Sequence, residues 1–199
     1  MLNFKTVPAG IYEANCYILV DEDTKDCVII DAGGDADKIE AAVESMGGNP
    51  KYVLLTHGHF DHVGGVEEIC SKYGIPFYIS RADEEYMEKD SSVFGTLPKA
   101  SGYLKEGDTI KLGSYEIKVI ETPGHTKGGL CFFVDNKVFT GDTLFQGSVG
   151  RTDFPGGDMK EIIRSIKDKL LPLGDDVEVY PGHGPSSSIR FEIMRNPYL

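Results

Sequence analysis

Short apolar runs bounded by turn residues recur along the whole chain, and amphipathic stripes with a helical period lie between them. In the first half, the apolar runs predict strands over 4–7, 15–20, 27–31, 52–55 and 76–79. The stripes predict helices over 37–46, 63–73 and 81–89, of which the last is charged and exposed.

The same progression from strands to helices begins again at residue 109. The predicted strands are 109–112, 115–121, 129–134, 137–140 and 177–180, and the predicted helices are 159–170 and 187–195. This order favours an α/β (α+β) fold in which two β-sheets pack together with helices on the outside. For 199 residues, of which 40% are hydrophobic, we expect a single domain over 1–199.

The segment 90–106 has no clear periodicity and contains Phe94, Leu97 and Tyr103 among small and turn residues. A loop this long in a compact domain is often functional. We expect it to form a wall of a substrate site, although a plain surface loop agrees with the sequence equally well.

Potential metal ligands crowd into the segment that follows the predicted strand 52–55: His57, His59, Asp61 and His62. Side chains two positions apart in an extended segment point to the same side, which pairs His57 with His59. Asp61 and His62 are adjacent, so a turn must separate their directions. The spacing therefore suggests two metals, one on each pair, at the carboxyl end of a strand.

Three further candidates end strand-like runs downstream: His125, Asp142 and His183. The chain has five histidines, and all five belong to this series. Imidazole and carboxylate ligands suit zinc, iron, manganese or nickel. Cys16, Cys27, Cys70 and Cys131 are scattered through apolar runs, and we interpret them as reduced core residues.

The series T-H-x-H-x-D-H, G-H, G-D and G-H, in this order, resembles the metallo-β-lactamase superfamily over nearly the whole chain. The segments 145–158 and 181–199 resemble the short, single-domain glyoxalase II-like (hydroxyacylglutathione hydrolase-like) enzymes. The resemblance implies a four-layer αβ/βα sandwich with two divalent ions, most often zinc, at one edge. It assigns one ion to His57, His59 and His125, the other to Asp61, His62 and His183, and the bridge between them to Asp142.

The same resemblance implies a binuclear metal-dependent hydrolase. A hydroxide that bridges the two ions would attack a thioester or ester carbonyl, with Asp61 and Asp142 as catalytic residues of the site. Because only 16 residues follow His183, we do not expect the C-terminal helical domain that completes the glutathione site of glyoxalase II. A glutathione-linked substrate therefore agrees with the motifs, whereas the acyl and thiol groups are left open.

Two other residues have expected roles in the site. Asp31 ends a predicted strand before two glycines, and the resemblance implies that it orients a ligand histidine; a turn-initiating aspartate is the alternative. The planar guanidinium of Arg151 can donate two hydrogen bonds to a substrate carboxylate. The resemblance to the glutathione-binding segment of glyoxalase II implies such a contact. An ion pair with Asp153 is the alternative for Arg151.

Charge and hydropathy limit the kinds of partner and the cellular location that we expect. A net charge of −12 argues against nucleic acid and leaves a small-molecule substrate as the expected partner. The N-terminus lacks an apolar stretch typical of a signal peptide, and no run approaches the roughly 18 apolar residues of a membrane span. We therefore expect a cytoplasmic protein, which disfavours a secreted antibiotic-degrading lactamase. The sequence does not predict the oligomeric state.

Other functions agree with the same motifs. Persulfide dioxygenases resemble this chain in the ligand series, and they would use one iron on His57, His125 and Asp142. A lactonase differs only in the substrate wall. A metal-binding protein without turnover would keep the ligands and lose the open coordination position.

Overall fold

Two six-stranded β-sheets form the centre of the molecule, for which a computed structural model describes residues 1–199. The first sheet contains β1 (Leu2–Ala9), β2 (Ala14–Asp21), β3 (Asp26–Ile30), β4 (Asn49–Leu54), β5 (Phe77–Ile79) and β6 (Gly102–Tyr103). Its strands lie in chain order, antiparallel from β1 to β3 and parallel from β3 to β6.

The second half of the chain contributes β7 (Thr109–Leu112), β8 (Tyr115–Glu121), β9 (Leu130–Val134), β10 (Lys137–Gly141), β11 (Leu144–Phe145), β12 (Ser148–Val149), β13 (Glu178–Pro181) and β14 (Ser187–Ser188). The order in the second sheet is β14-β13-β10-β9-β8-β7, and β11 pairs with β12 in a separate hairpin. The β10–β13 pair is parallel, so both strands end at the same edge.

The helices are α1 (Ala36–Met46), α2 (Phe60–Val63), α3 (Val66–Tyr73), α4 (Arg81–Lys89), α5 (Met159–Ser165) and α6 (Ile189–Arg195). A π-helical turn over Ile166–Leu170 extends α5. None of the helices has the length and apolar character that a membrane crossing requires.

Three separate apolar clusters reveal the layers. On β2, Ile18 faces α1 and α3, whereas its neighbour Leu19 packs against the second sheet. On the second sheet, Phe132 faces the first sheet, and Val138 packs with Ile162 of α5. Because side chains alternate along a strand, each sheet is buried on both faces. Three cores between four layers confirm the expected αβ/βα sandwich.

The predicted helix over 63–73 is wrong at its start. The chain forms the short α2, breaks, and resumes as α3. The break occurs because the Gly65 amide donates to the Ala32 carbonyl (2.8 Å) rather than to a helical partner. Gly64 also packs closely there, since a Cβ on it would lie 2.8 Å from the Gly33 oxygen.

Three other elements differ from the prediction. Within the segment 90–106, Gly102–Tyr103 pairs with β5 as an edge strand. The predicted helix over 159–170 is α-helical only to Ser165. The charged α4 is not exposed throughout, because Asp83 is fully buried by the loops that pack on its first turn.

Candidate metal centre

Four strand ends meet at one edge of the sandwich and bring the candidate ligands together. His57 follows β4, His125 follows β8, Asp142 follows β10 and His183 follows β13. Since β4 belongs to one sheet and the other three strands to the second, the site lies between the two sheets. His62 reaches it from α2 and is fully buried.

The ligand atoms form two groups. In the first, His59 Nδ1 lies 3.0 Å from His125 Nε2, and the ring centroid of His57 lies 4.7 Å from that of His59. In the second, His183 Nε2 lies 3.3 Å from His62 Nε2 and 3.1 Å from Asp61 Oδ2. Within each group the ligand atoms are all within 4.8 Å of one another.

Asp142 lies between the two groups. Its Oδ2 is 3.6 Å from His125 Nε2 in the first group and 3.7 Å from His183 Nε2 in the second. Its Oδ1 is 3.4 Å from His62 Nε2. One carboxylate therefore faces both groups, as a bridging ligand must.

These separations fit metal ions. Two ligand atoms about 2.0–2.1 Å from a tetrahedral zinc lie roughly 3.3 Å apart, close to the separations observed here. Two buried atoms that face the cluster, His57 Nε2 and Asp142 Oδ1, have no hydrogen-bond partner. Because an unpaired buried polar atom is costly, the donor set accommodates divalent cations well.

Hydrogen bonds around the cluster determine which ring nitrogens face inward. Thr56 Oγ1 donates to Asp31 Oδ2 (2.6 Å), so its lone pair accepts from His57 Nδ1 (3.0 Å). His62 Nδ1 donates to the same Asp31 oxygen (2.9 Å). On His125, Nδ1 donates to the Arg151 carbonyl (2.8 Å). Each of the three rings thus directs its Nε2, the nitrogen available to a metal, into the cluster.

The electrostatics also favour cations. Burial and the neighbouring histidines hold the pKa of His57 well below its usual value, and burial lowers the pKa of His59 to about 3. These rings are neutral at pH 7 and keep their lone pairs. Burial works to raise the pKa of Asp142, but the histidines around it outweigh burial and lower the pKa. The first group therefore combines neutral imidazoles with an ionised carboxylate. In the second group burial works to lower the pKa of His62, but Asp142 and Asp31 outweigh burial and raise the pKa well above its usual value, so this ring must release a proton when a metal binds.

A cavity of about 460 Å³ opens onto both ligand groups. Its remaining wall consists of Tyr12, Phe60, Val93, Phe145 and Phe154, with Arg151 at the rim. Val93 belongs to the segment 90–106, which thus contributes to the wall as expected. Within the same segment, the buried Phe94 ring packs against His59 at a centroid distance of 4.8 Å.

Arg151 pairs with Asp153. Its Nε and Nη2 donate to the two carboxylate oxygens at 2.8 and 2.7 Å, and its guanidinium lies 3.7 Å from the centroid of Phe154. The structure thus has the ion pair that the sequence offered as the alternative. Both side chains are more than half exposed, so the pair contributes little to stability.

Sequence reasoning missed three residues that shape the centre. Thr56 links Asp31 to His57, and its place directly before the first ligand was the available signal. Gly182 leaves room for the cluster, because a Cβ there would lie 2.2 Å from Asp142 Oδ1. No feature of the sequence distinguishes Asp83, since it lies among other charged residues of α4.

The family follows from fold and site together. The sequence profile of the Metallo-beta-lactamase superfamily matches residues 9–183, and the chain belongs to that superfamily, whose members bind divalent metals. Among curated proteins it is similar to hydroxyacylglutathione hydrolase GloC of Haemophilus influenzae, at 37% identity over 100% of this chain and 98% of that protein. The family and this relative support hydrolase activity.

Two solved structures match over their full lengths. The BLEG-1 B3 metallo-beta-lactamase has a TM-score of 0.91 and 34% identity, covering 99% of each chain. TTHA1623, solved in a di-iron-bound form, has a TM-score of 0.87 and 34% identity, covering 98% of this chain and 100% of that one.

Proposed function

We propose that this protein is a hydrolase with two divalent metal ions that cleaves a thioester or ester, as hydroxyacylglutathione hydrolases do. The observation that carries the proposal is the position of Asp142 between two three-residue donor groups at the floor of an open cavity. A purely structural metal site would be closed to solvent and would need no cavity.

In this proposal His57, His59 and His125 hold one ion, Asp61, His62 and His183 hold the other, and Asp142 bridges them. When bound, two such ions lower the pKa of a water molecule and polarise a carbonyl oxygen. The chain itself keeps the imidazoles of the first group neutral, orients the ligand rings through Asp31, Thr56 and the Arg151 carbonyl, and leaves room for substrate.

Zinc is the ion that we propose, because the donors are imidazoles and carboxylates at tetrahedral separations. Iron and manganese accept the same donors, and the relative TTHA1623 binds two irons. That relative supports double occupancy of the centre as well as iron as the second choice of metal.

The substrate contacts divide into two kinds. Aromatic side chains such as Tyr12 and Phe154 offer an apolar surface beside the carboxylate and imidazole ligands. Arg151 is the basic residue of the wall, and Asp153 already occupies its fork. A glutathione-linked thioester is our first candidate because of GloC, and its carboxylates would have to compete with Asp153 for Arg151.

Metal analysis and activity assays on one purified sample test this proposal. We expect about two metals per chain and loss of the thioester of S-D-lactoylglutathione, without oxygen uptake on glutathione persulfide. His125→Ala, purified in the same way, is the control for contaminating hydrolases. One iron per chain with oxygen uptake would instead establish the persulfide dioxygenase. Cleavage of a β-lactam without cleavage of the thioester would show that the proposed substrate class is wrong.

A further inference from the structure

Asp83, on the first turn of α4, is a buried carboxylate that makes no ion pair. It is fully buried, and its partners are two backbone amides and one hydroxyl, with no basic side chain among them. Burying a carboxylate costs free energy unless hydrogen bonds satisfy its oxygens. A residue of this kind on a surface helix therefore calls for a specific role.

The hydrogen-bond donors come from two different loops. The Gly58 amide, between the proposed ligands His57 and His59, donates to Asp83 Oδ2 (2.9 Å). Thr126 Oγ1, directly after His125, donates to the same oxygen (2.9 Å). One oxygen atom thus joins the loop that carries two of the ligands to the loop that carries the third.

The other carboxylate oxygen strengthens this connection. Asp83 Oδ1 accepts from the Gly128 amide at 2.7 Å. Close packing at this point requires glycine, because a Cβ on Gly128 would lie 1.9 Å from Ser80 Oγ. Ser80 caps the N-terminus of α4, since its Oγ accepts from the Asp83 amide (3.1 Å). Asp83 is therefore a rigid anchor for both loops.

We propose, on the basis of the proposed metal centre, that Asp83 is the positioning residue of the first metal site: it holds the His57–His59 loop and the His125 loop at the separation that one ion needs. Its bonds reach both loops of the first group and none of Asp61, His62 and His183. Asp31 differs from Asp83 in this respect, because it contacts the ring of His62 directly and reaches that of His57 through Thr56.

The test measures zinc affinity by competition with a chelating indicator, one site at a time. In a His183→Ala background the second site lacks a ligand, so binding reports the first; in a His125→Ala background binding reports the second. We expect Asp83→Asn to weaken zinc at the first site about 10-fold or more. At the second site we expect a change within about two-fold.

Asp21→Asn is the matched control. Asp21 is also fully buried and accepts hydrogen bonds from Ser114 and the Asp23 amide, far from the ligands in sequence. We expect it to leave both affinities unchanged. If Asp83→Asn does not fold, Thr126→Val removes one of the three bonds and should weaken the first site alone, to a smaller degree.

The outcomes separate this inference from the proposed function. Equal weakening of both sites, or none, would overturn the role of Asp83 while leaving a two-metal centre in place. Failure of the unsubstituted protein to bind two zinc ions would overturn the proposed function and this inference with it.

Discussion

Asp31 Oδ2 lies 2.9 Å from His62 Nδ1, and the backbone of Asp31 adopts a left-handed conformation with φ of 55° to place it there. Such a conformation is unfavourable for most residues other than glycine, asparagine and aspartate. The carboxylate also accepts from the Thr56 amide (2.8 Å) and hydroxyl. Asp31 therefore connects one ligand of each proposed metal site.

Asp31→Asn should weaken metal retention about 10-fold or more, because the charge that orients His62 is lost. Asparagine tolerates the left-handed backbone, so the change isolates the carboxylate. Asp35→Asn is the control, since Asp35 also has a positive φ (45°) but bonds to the exposed Lys38. Metal content after dialysis is the readout, and equal content in the two variants would contradict the role of Asp31.

The two glycines that flank His183 should respond differently to alanine. In Gly182→Ala the new Cβ would meet Asp142 Oδ1 at 2.2 Å and His62 Cε1 at 2.7 Å, so we expect loss of bound metal. In Gly184→Ala nothing lies within 4 Å, and the positive φ of 76° costs about 1 kcal/mol of stability. Metal analysis and thermal unfolding of both variants check this contrast. Full metal content in Gly182→Ala would contradict it.

The pH dependence of unfolding should reveal Asp83 in the metal-free protein. Burial raises its pKa from 3.8 to about 6, although the hydrogen bonds from Gly58, Thr126 and Gly128 oppose the rise. The folded state therefore binds the proton more tightly than the unfolded state. The contribution of Asp83 to the free energy of unfolding is fully present below pH 3.8. It is lost as the pH rises through about 6, a change of about 3 kcal/mol.

Denaturant unfolding of the metal-free protein from acidic to neutral pH measures that change. Relative to the unsubstituted protein, Asp83→Asn should lack this decline in the free energy of unfolding. Parallel curves for the two proteins would show that Asp83 has an ordinary pKa in the folded state.

The ion pair at the cavity rim makes a prediction about substrate charge. Asp153→Asn frees the Arg151 fork, so KM for a carboxylate-bearing thioester should fall about two- to five-fold, the range of an exposed ion pair. A neutral thioester with the same acyl group is the control and should keep its KM. Equal changes for both substrates would exclude a contact between Arg151 and the substrate carboxylate.

The order of strands and helices and the convergence of the candidate ligands could be predicted because both depend on local patterns. The four-layer arrangement and the division of the ligands into two groups were implied by the family resemblance. Short apolar runs bounded by turn residues identify most strands, and ligand residues directly after strands meet at a sheet edge. His125 and His183 are distant in sequence, yet the structure brings them to the same edge as His57.

Features that depend on tertiary contacts could not be predicted in this way. The break before α3 requires the Ala32 carbonyl, which accepts the Gly65 amide. Asp83 resembles its charged neighbours in the sequence, and only the packing of two loops on α4 distinguishes it. For Arg151, the sequence allowed both a substrate carboxylate and Asp153 as partners, and only the folded rim shows the bidentate pair.

Anomalous diffraction from zinc-loaded crystals tests the central claim most directly. We predict two peaks about 3.5–4 Å apart, one beside His57, His59 and His125 and one beside Asp61, His62 and His183, with Asp142 between them. A single peak among His57, His125 and Asp142, with the second group empty at saturating zinc, would contradict the two-metal centre.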